Sequence, residues 1–184
     1  LRGRRSTATS SGAEKPVALV GKQLRWSVRR EAYPEFARTF GMPIYVNGLG
    51  RGSLPPEDPH FFSRTRKPAL KQADVVLIFG TPLDFRIGYG RGTHIAEDPK
   101  IIQVDLDGGE IGRNRAIEVG LIGDTGLIME QLTNVAKKSG YQKDLHKSWT
   151  DEIRRIDQEK RASHDPEMTS NASPVNPVRA CAEI

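Results

Sequence analysis

Five short apolar runs recur along the first two thirds of the chain, each bounded by turn residues. They are PVALV (16–20), PIYV (43–46), DVVLIF (74–79), KIIQVDL (100–106) and IEVGLI (117–122). Valine and isoleucine dominate these runs, and the central ones do not alternate with polar residues. Runs of this kind are typical of strands that are buried on both faces of a parallel sheet.

The segments between these runs show helical spacing. SVRREAYPEFARTFG carries one apolar face from Val28 to Phe40, with Pro34 marking a first turn and Gly41 a stop. KPALKQA predicts a shorter helix, and DTGLIMEQLTNVAKKSG a helix with an Asp/Thr start. Because strand and helix alternate, the sequence predicts an α/β fold: a Rossmann-like, doubly wound parallel sheet in three α/β/α layers.

The pattern also suggests a division of the chain. Residues 1–14 form a basic linker and residues 15–139 the Rossmann-like domain. Residues 140–184 are a helix and a linker, and the helix is mostly charged with a narrow apolar stripe from Leu145 to Ile156. The last residues begin another amphipathic segment, so we expect an excised domain.

Composition narrows the classes of function. No apolar run approaches the roughly 20 residues that span a bilayer, so we expect no membrane partner. The net charge of +5 is spread along the chain without an aromatic-interleaved basic stripe or zinc spacing, so we expect no nucleic-acid partner. A single cysteine, Cys181, fits a reducing compartment, and we expect a cytoplasmic protein.

The loops after the predicted strands are the places for chemistry, because ligands of open parallel sheets bind outside the carboxyl ends of the strands. These loops are rich in glycine, aspartate and arginine, which suits phosphate binding. Neither GLGRGS nor GYGRGT satisfies the dinucleotide fingerprint G-x-G-x-x-G. Tight turns and a nucleotide site are therefore both open interpretations.

Several individual residues likewise fit either a ligand-binding role or a purely structural one. Asp105 ends its strand and is placed either to bind a ribose or, like Asp107, to cap a turn. Lys22 and Arg86 are placed to pair either with an anionic ligand or with neighbouring carboxylates. The four histidines have no metal spacing, and we expect them to be exposed rather than ligating. We predict no catalytic residue and no metal ligand.

In order along the chain, the loops resemble a known family. The segments GRGSLPPEDP, ADVVLIFGTPLDFR and KIIQVDLDGGEIGRN are similar to the central domain of thiamine diphosphate-dependent enzymes of the acetolactate synthase type. The resemblance covers roughly residues 15–139. It implies a sheet of six parallel strands, one more than the five runs, so we expect five to six strands.

The resemblance also implies a parent enzyme of three domains. Its first and third domains would bind thiamine diphosphate and Mg²⁺ and act on a 2-keto acid such as pyruvate, in a homo-oligomer. The partners of this chain would then be those missing N- and C-terminal domains. Without them, we expect the chain to have no carboligase or decarboxylase activity.

The family uses the central domain in different ways: some members bind FAD there, some bind ADP or the CoA nucleotide, and others leave the site empty. By motif position, the contacts would fall on Gly21, Lys22, Gln23, Asn47, Gly48, Leu49, Gly80, Thr81, Asp84, Arg86, Asp105, Leu106 and Asp124. Flavin-binding members read Gly-Ala-Arg where this chain has Gly80, Thr81 and Pro82. The arginine that faces the pyrophosphate is missing, so FAD stays one open ligand of this domain, and an ADP-like ligand or an empty, purely structural domain is at least as well supported. Half of an NAD-dependent oxidoreductase is a weaker alternative.

Overall fold

The structure, a computed structural model, describes residues 12–55, 57–142 and 144–183. The predicted linker, residues 1–14, lies outside the described residues except for its last three. One six-stranded, all-parallel sheet organises the described chain, in the order β3-β2-β1-β4-β5-β6. The strands are β1 (Pro16–Val20), β2 (Ile44–Val46), β3 (Phe61–Phe62), β4 (Val75–Phe79), β5 (Lys100–Asp105) and β6 (Val119–Ile122).

Seven helices in the described ranges connect and cover these strands: α1 (Gln23–Trp26), α2 (Ala32–Phe40), α3 (Arg66–Gln72), α4 (Thr125–Lys138), α5 (Lys147–Ala162), α6 (Asp165–Met168) and α7 (Pro177–Ala182). The predicted α/β class and parallel sheet are confirmed. The sixth strand, β3, has only two residues and pairs with β2 through Ile44 and Phe61. It is too short to appear as an apolar run, which is why the hydrophobic pattern gives only five.

The core has two layers because successive strand side chains point to opposite faces of a sheet. Ala18 and Val20 of β1 pack in the layer under α2 and α4, with aromatic side chains such as Phe36. Val17 and Leu19 pack in the other layer, under α3 and α5. All four β1 side chains are fully buried, so the unbroken apolar run reflects burial on both faces.

The helix α2 shows how local signals set its limits. It begins at Ala32, with Pro34 in its first turn, and ends at Phe40, followed by the C-cap residue Gly41 with a left-handed φ of 59°. Both of these predictions are confirmed. The predicted helical position of Val28 is wrong, because Val28 lies before the helix and is 72% exposed.

The helix α5 packs directly on the sheet. The Trp149 indole donates to the carbonyl oxygen of Pro16 at 3.1 Å, and the Thr150 hydroxyl donates to that of Gly41 at 2.7 Å. Trp149 and Ile153 are buried, whereas Leu145 is half exposed. The predicted apolar stripe therefore starts at Trp149 and covers the second core layer.

Candidate functional site

The strand order reverses between β1 and β4, since β2 lies on one side of this pair and β5 on the other. Such a switch point opens a crevice at the carboxyl ends of the strands. Here the loops after β1 and β4 touch: a Cβ atom on Gly21 would overlap the carbonyl oxygen of Gly80 and the side chain of Thr81. Gly80 has a φ of 57°, a conformation that suits glycine. The two glycines therefore let two backbones meet at the floor of the crevice.

Gln23, in the first turn of α1, links this floor to β5. Its amide Nε2 donates to Asp105 Oδ1 at 2.7 Å, and its Oε1 accepts from the Leu106 amide at 3.2 Å. The Asp107 amide also donates to Asp105 Oδ1, at 2.9 Å. Asp105 Oδ2 accepts no hydrogen bond from the described residues. The carboxylate is thus held in one orientation with an oxygen left over, an arrangement that suits a hydroxyl donor on a ligand.

Asp124 follows β6 and has a different environment. Its Oδ1 accepts from the Ser27 hydroxyl at 2.5 Å and from the amides of Gly126 and Leu127 at 3.0 Å, while Oδ2 accepts from the Val28 amide at 3.3 Å. Partial burial acts to raise the pKa of Asp124, but these hydrogen bonds outweigh it and hold the pKa below its ordinary value. Asp124 is therefore the N-cap of α4, as the Asp/Thr start predicts.

The loop after β4 pairs its two charged residues with each other. Asp84 accepts the Arg86 amide at 3.0 Å through Oδ1 and the Arg86 guanidinium at 2.7 Å through Oδ2. The Arg86 side chain is 62% exposed, and Tyr89 in the same loop adopts a left-handed φ of 55°. Of the two interpretations of Arg86, the structure shows the pairing with a neighbouring carboxylate.

The loop after β2 contributes Asn47, Gly48 and Leu49. The Arg66 side chain donates to Asn47 Oδ1, Gly48 has a φ of 51°, and Leu49 is half exposed. Lys22 is exposed and forms no ion pair within the described residues.

All thirteen predicted contact residues lie at or just beyond the carboxyl ends of the strands, with Asp105 as the last residue of β5 and the others on the following loops and short helical segments. Direct contacts join Gly21, Gln23, Gly80, Asp105 and Leu106, whereas Asp84, Arg86, Asn47 and Asp124 are engaged by other protein groups. Their role in binding stays a prediction. Sequence reasoning missed one feature: large exposed apolar side chains gather at this edge, and those outside the predicted set are Trp26, Val28, Phe85, Tyr89, Ile122 and Leu127. No period in the sequence marks them, because they lie on separate elements, among them α1, β6 and α4.

Residues with metal-ligating side chains are dispersed. Within residues 12–55, 57–142 and 144–183, no group of three or more His, Cys, Asp or Glu side chains could hold a metal ion. His146 is buried and its Nε2 lies 2.7 Å from the Tyr141 hydroxyl, so the expectation of exposure is wrong for this histidine. His146 is the N-cap residue of α5. No helix in the described part of the chain is long and apolar enough to cross a membrane.

Comparison with known proteins decides the family. Residues 10–132 match the family described as "Thiamine pyrophosphate enzyme, central domain". The chain belongs to this family. The match agrees with the resemblance read from the loop motifs.

Relatives of this central domain come from several enzymes. The chain is 29% identical over 180 residues to the acetolactate synthase large subunit of Mycobacterium tuberculosis, covering 98% of this chain and 31% of that protein. It is 33% identical over 175 residues to the 2-hydroxyacyl-CoA lyase 2 of Bos taurus, covering 92% and 27%. It is 26% identical over 172 residues to the oxalyl-CoA decarboxylase of Escherichia coli, covering 94% and 30%. The chain thus spans about a third of the length of these relatives.

A solved structure agrees on the fold of the central domain. The thiamine diphosphate-dependent 4-hydroxybenzoylformate decarboxylase of Rhodococcus jostii superposes with a TM-score of 0.60 at 22% identity, over 72% of this chain and 26% of that one. This similarity establishes the architecture described above.

Proposed function

We propose that this central domain binds the adenosine diphosphate part of a nucleotide at the β1–β4 switch point. The observation that carries the proposal is the arrangement of Asp105. Its Oδ1 accepts from Gln23 and from the Asp107 amide, whereas its Oδ2 accepts no hydrogen bond from the described residues. In Rossmann folds, an acidic residue near the end of a strand accepts a hydrogen bond from a ribose hydroxyl group, and Asp105 ends β5.

The crevice also offers a positive charge for a diphosphate beside the ribose. Gly21 and Gly80 bring the loops after β1 and β4 into contact, and protein atoms fill the space beside both glycines. Lys22 follows Gly21 directly, is exposed and has no ion pair within the described residues. This charge favours an anionic ligand at the crossover.

The same loops favour ADP over FAD. Pro82 supplies neither a guanidinium group nor a backbone N–H, and Arg86 is occupied by Asp84. A flavin dinucleotide would have to hold its pyrophosphate without the arginine that this position provides in flavin-binding members. Relatives of this chain include enzymes named for acyl-CoA substrates, which favours ADP or the ADP part of CoA as the ligand.

We further propose that the chain works within a larger thiamine diphosphate-dependent enzyme of the acetolactate synthase type. That enzyme would condense or cleave 2-keto acids such as pyruvate, as a cytoplasmic homo-oligomer. The family resemblance assigns thiamine diphosphate and its Mg²⁺ to the first and third domains of such an enzyme. Both groups are therefore assigned to other domains of the parent, and this chain contributes nucleotide binding and domain contacts.

A second candidate is a scaffold domain with an empty site. The specific observation in its favour is that Asp84 and Arg86 satisfy each other without a ligand. In this case, the domain would only orient its catalytic neighbours.

Calorimetric titration of the chain with ADP, FAD, CoA and NADH separates these candidates. The proposal predicts that ADP and CoA bind and that FAD binds more weakly. The variant Asp105→Asn should weaken ADP binding about tenfold, since a charge-assisted hydrogen bond is replaced by a neutral one. Asp107→Asn is the matched control, because Asp107 is exposed and only caps the Gly109 amide. Absence of heat with every ligand would support the scaffold, and binding of NADH alone would revive an oxidoreductase.

A further inference from the structure

A second cleft opens on the β2 side of the switch point. It has a volume of about 600 Å³ and lies between α1, the start of α2 and the loop after β2. This volume falls within the range of small-molecule sites. Of the nucleotide contacts predicted from the sequence, only Leu49 lines it. The cleft is thus a neighbour of the Asp105 crevice with its own walls.

The walls of this cleft are positively charged. Arg25, Arg30 and Arg51 line it, and within the described residues none of these guanidinium groups is in ion-pair contact with a carboxylate. The acidic residue of the lining, Glu31, is already paired with Arg29 at 3.4 Å. Arginine is suited to bind carboxylate and phosphate groups with two parallel hydrogen bonds. Three unpaired guanidinium groups around one cleft therefore favour an anion.

The cleft also has an apolar surface. Trp26 is 71% exposed, and Leu49 lies across from it on the β2 loop with 49% of its surface exposed. The other tryptophan, Trp149, is buried in the core. The guanidinium carbon of Arg25 lies 5.7 Å from the centre of the Trp26 ring. An exposed indole beside a cation provides a stacking surface for a flat ring.

We infer that this cleft is a separate binding site for a small, flat anion. An aromatic or heteroaromatic ring would stack on Trp26, and a carboxylate or phosphate on that ring would be bound by Arg30 and Arg51. The inference does not depend on the nucleotide site, because it uses neither Asp105 nor the glycines of the crossover. It assigns a second ligand to the same edge of the sheet.

Tryptophan fluorescence of the intact chain tests the inference directly, since Trp26 is the exposed tryptophan. The probes are phenyl phosphate, benzoate, inorganic phosphate and phenol. We expect phenyl phosphate or benzoate to quench the fluorescence in a saturable way, and whichever binds more tightly identifies the anionic group. Inorganic phosphate and phenol should bind at least about tenfold more weakly, because each lacks one half of the interaction.

Charge variants locate the site. Arg30→Gln and Arg51→Gln should each weaken binding of the better probe about tenfold. Arg38→Gln is the matched control, because Arg38 is exposed on α2 outside the cleft and should leave binding unchanged. Absence of saturable quenching by both ring-bearing anions, or equal weakening by Arg38→Gln, would overturn the inference.

A crossed comparison separates this site from the nucleotide site. Asp105→Asn should leave the ring-anion probe unaffected, and Arg51→Gln should leave ADP binding unaffected. If Arg51→Gln weakened ADP as strongly as it weakens the probe, the cleft would be part of the nucleotide crevice and the claim of a separate site would be wrong. If ADP failed to bind while the probe bound, the proposed function alone would fail.

Discussion

Two aspartates end neighbouring strands of the sheet and use their oxygens in opposite ways. Asp124, after β6, accepts four hydrogen bonds from the protein and closes the first turn of α4. Asp105, the last residue of β5, accepts two hydrogen bonds on one oxygen and none from the described residues on the other. Both are predicted nucleotide contacts by motif position. The structure thus distinguishes a carboxylate whose two oxygens are both bonded within the fold from a buried one that has an oxygen without a hydrogen bond from the described residues.

The difference arises from the partners that surround each residue. Ser27, immediately after α1, reaches Asp124 and also accepts the Gly126 amide at 3.1 Å, so a small network fills the end of α4. At Asp105, the Gln23 side chain donates to the carboxylate and accepts from the Leu106 amide, so both of its polar atoms are bonded to the end of β5 and the loop after it. The two ends of α1 therefore support the two aspartates differently.

The largest loss of stability is expected at Gly126, where the network around the end of α4 is most crowded. A Cβ on Gly126 would overlap the carbonyl oxygen of Arg29 and the hydroxyl of Ser27. Gly126→Ala should therefore lower the free energy of unfolding by about 1–3 kcal/mol, although alanine favours helices. Urea unfolding measures the loss. The control is Gly92→Ala, whose methyl group would meet only the flexible Glu97 side chain at 3.3 Å; equal stability of the two variants would contradict the crowding.

Removing the cap should have the next largest effect. Asp124→Ala takes away the acceptor of Ser27 and of three backbone amides, so we expect a loss of about 1–2 kcal/mol in the free energy of unfolding at neutral pH. Asp107→Ala removes the cap of a three-residue, exposed 3₁₀ segment and should cost less. Thermal or urea unfolding of both variants gives the ranking, and the reverse order would be inconsistent with the role assigned to Asp124.

Acid should reduce the difference in stability between the wild type and Asp124→Ala. The pKa of Asp124 is lower in the folded chain than its ordinary value of 3.8, so its carboxylate stabilises the fold at pH values above the ordinary pKa. That contribution is lost as the pH falls through the lowered, folded pKa. The stability gap between the wild type and Asp124→Ala should therefore shrink below about pH 4. A gap that widens in acid would show that the folded pKa is raised instead.

The smallest effect is expected at Arg86. Its ion pair with Asp84 joins residues two positions apart, and its side chain is mostly exposed. Arg86→Gln should change the free energy of unfolding by less than about 0.5 kcal/mol and the affinity for ADP by less than about twofold. A large loss of ADP affinity would mean that Arg86 leaves Asp84 to bind the ligand.

Some of these features are readable from the sequence and some are not. The unbroken run of β4 and the Asp/Thr start of α4 predict their structures, because burial on both faces and capping act locally. The contact between Gln23 and Asp105 joins residues 82 positions apart, so no local sequence pattern predicts it. The sequence also does not predict that Trp26 and Leu49 line one cleft, because α1 and the loop after β2 come together only when β1 and β2 pair.

The family motifs predict which positions would contact a ligand, but not whether each side chain is already bonded to other protein groups. Motif position groups Asp84, Asp105 and Asp124 as equivalent contacts. Their availability depends on neighbours such as Ser27 and Arg86, which only the folded arrangement brings to them.

The most direct test of the central claim compares Asp105→Asn with Asp124→Ala in two measurements, ADP affinity by calorimetry and the midpoint of thermal unfolding. The account predicts that Asp105→Asn lowers ADP affinity about tenfold with little change in the midpoint. Asp124→Ala should lower the midpoint, because it removes the N-cap of α4, and leave the ADP affinity of the folded chain unchanged. If Asp124→Ala weakened ADP binding and Asp105→Asn only destabilised the fold, the assignment of the two carboxylates would be contradicted.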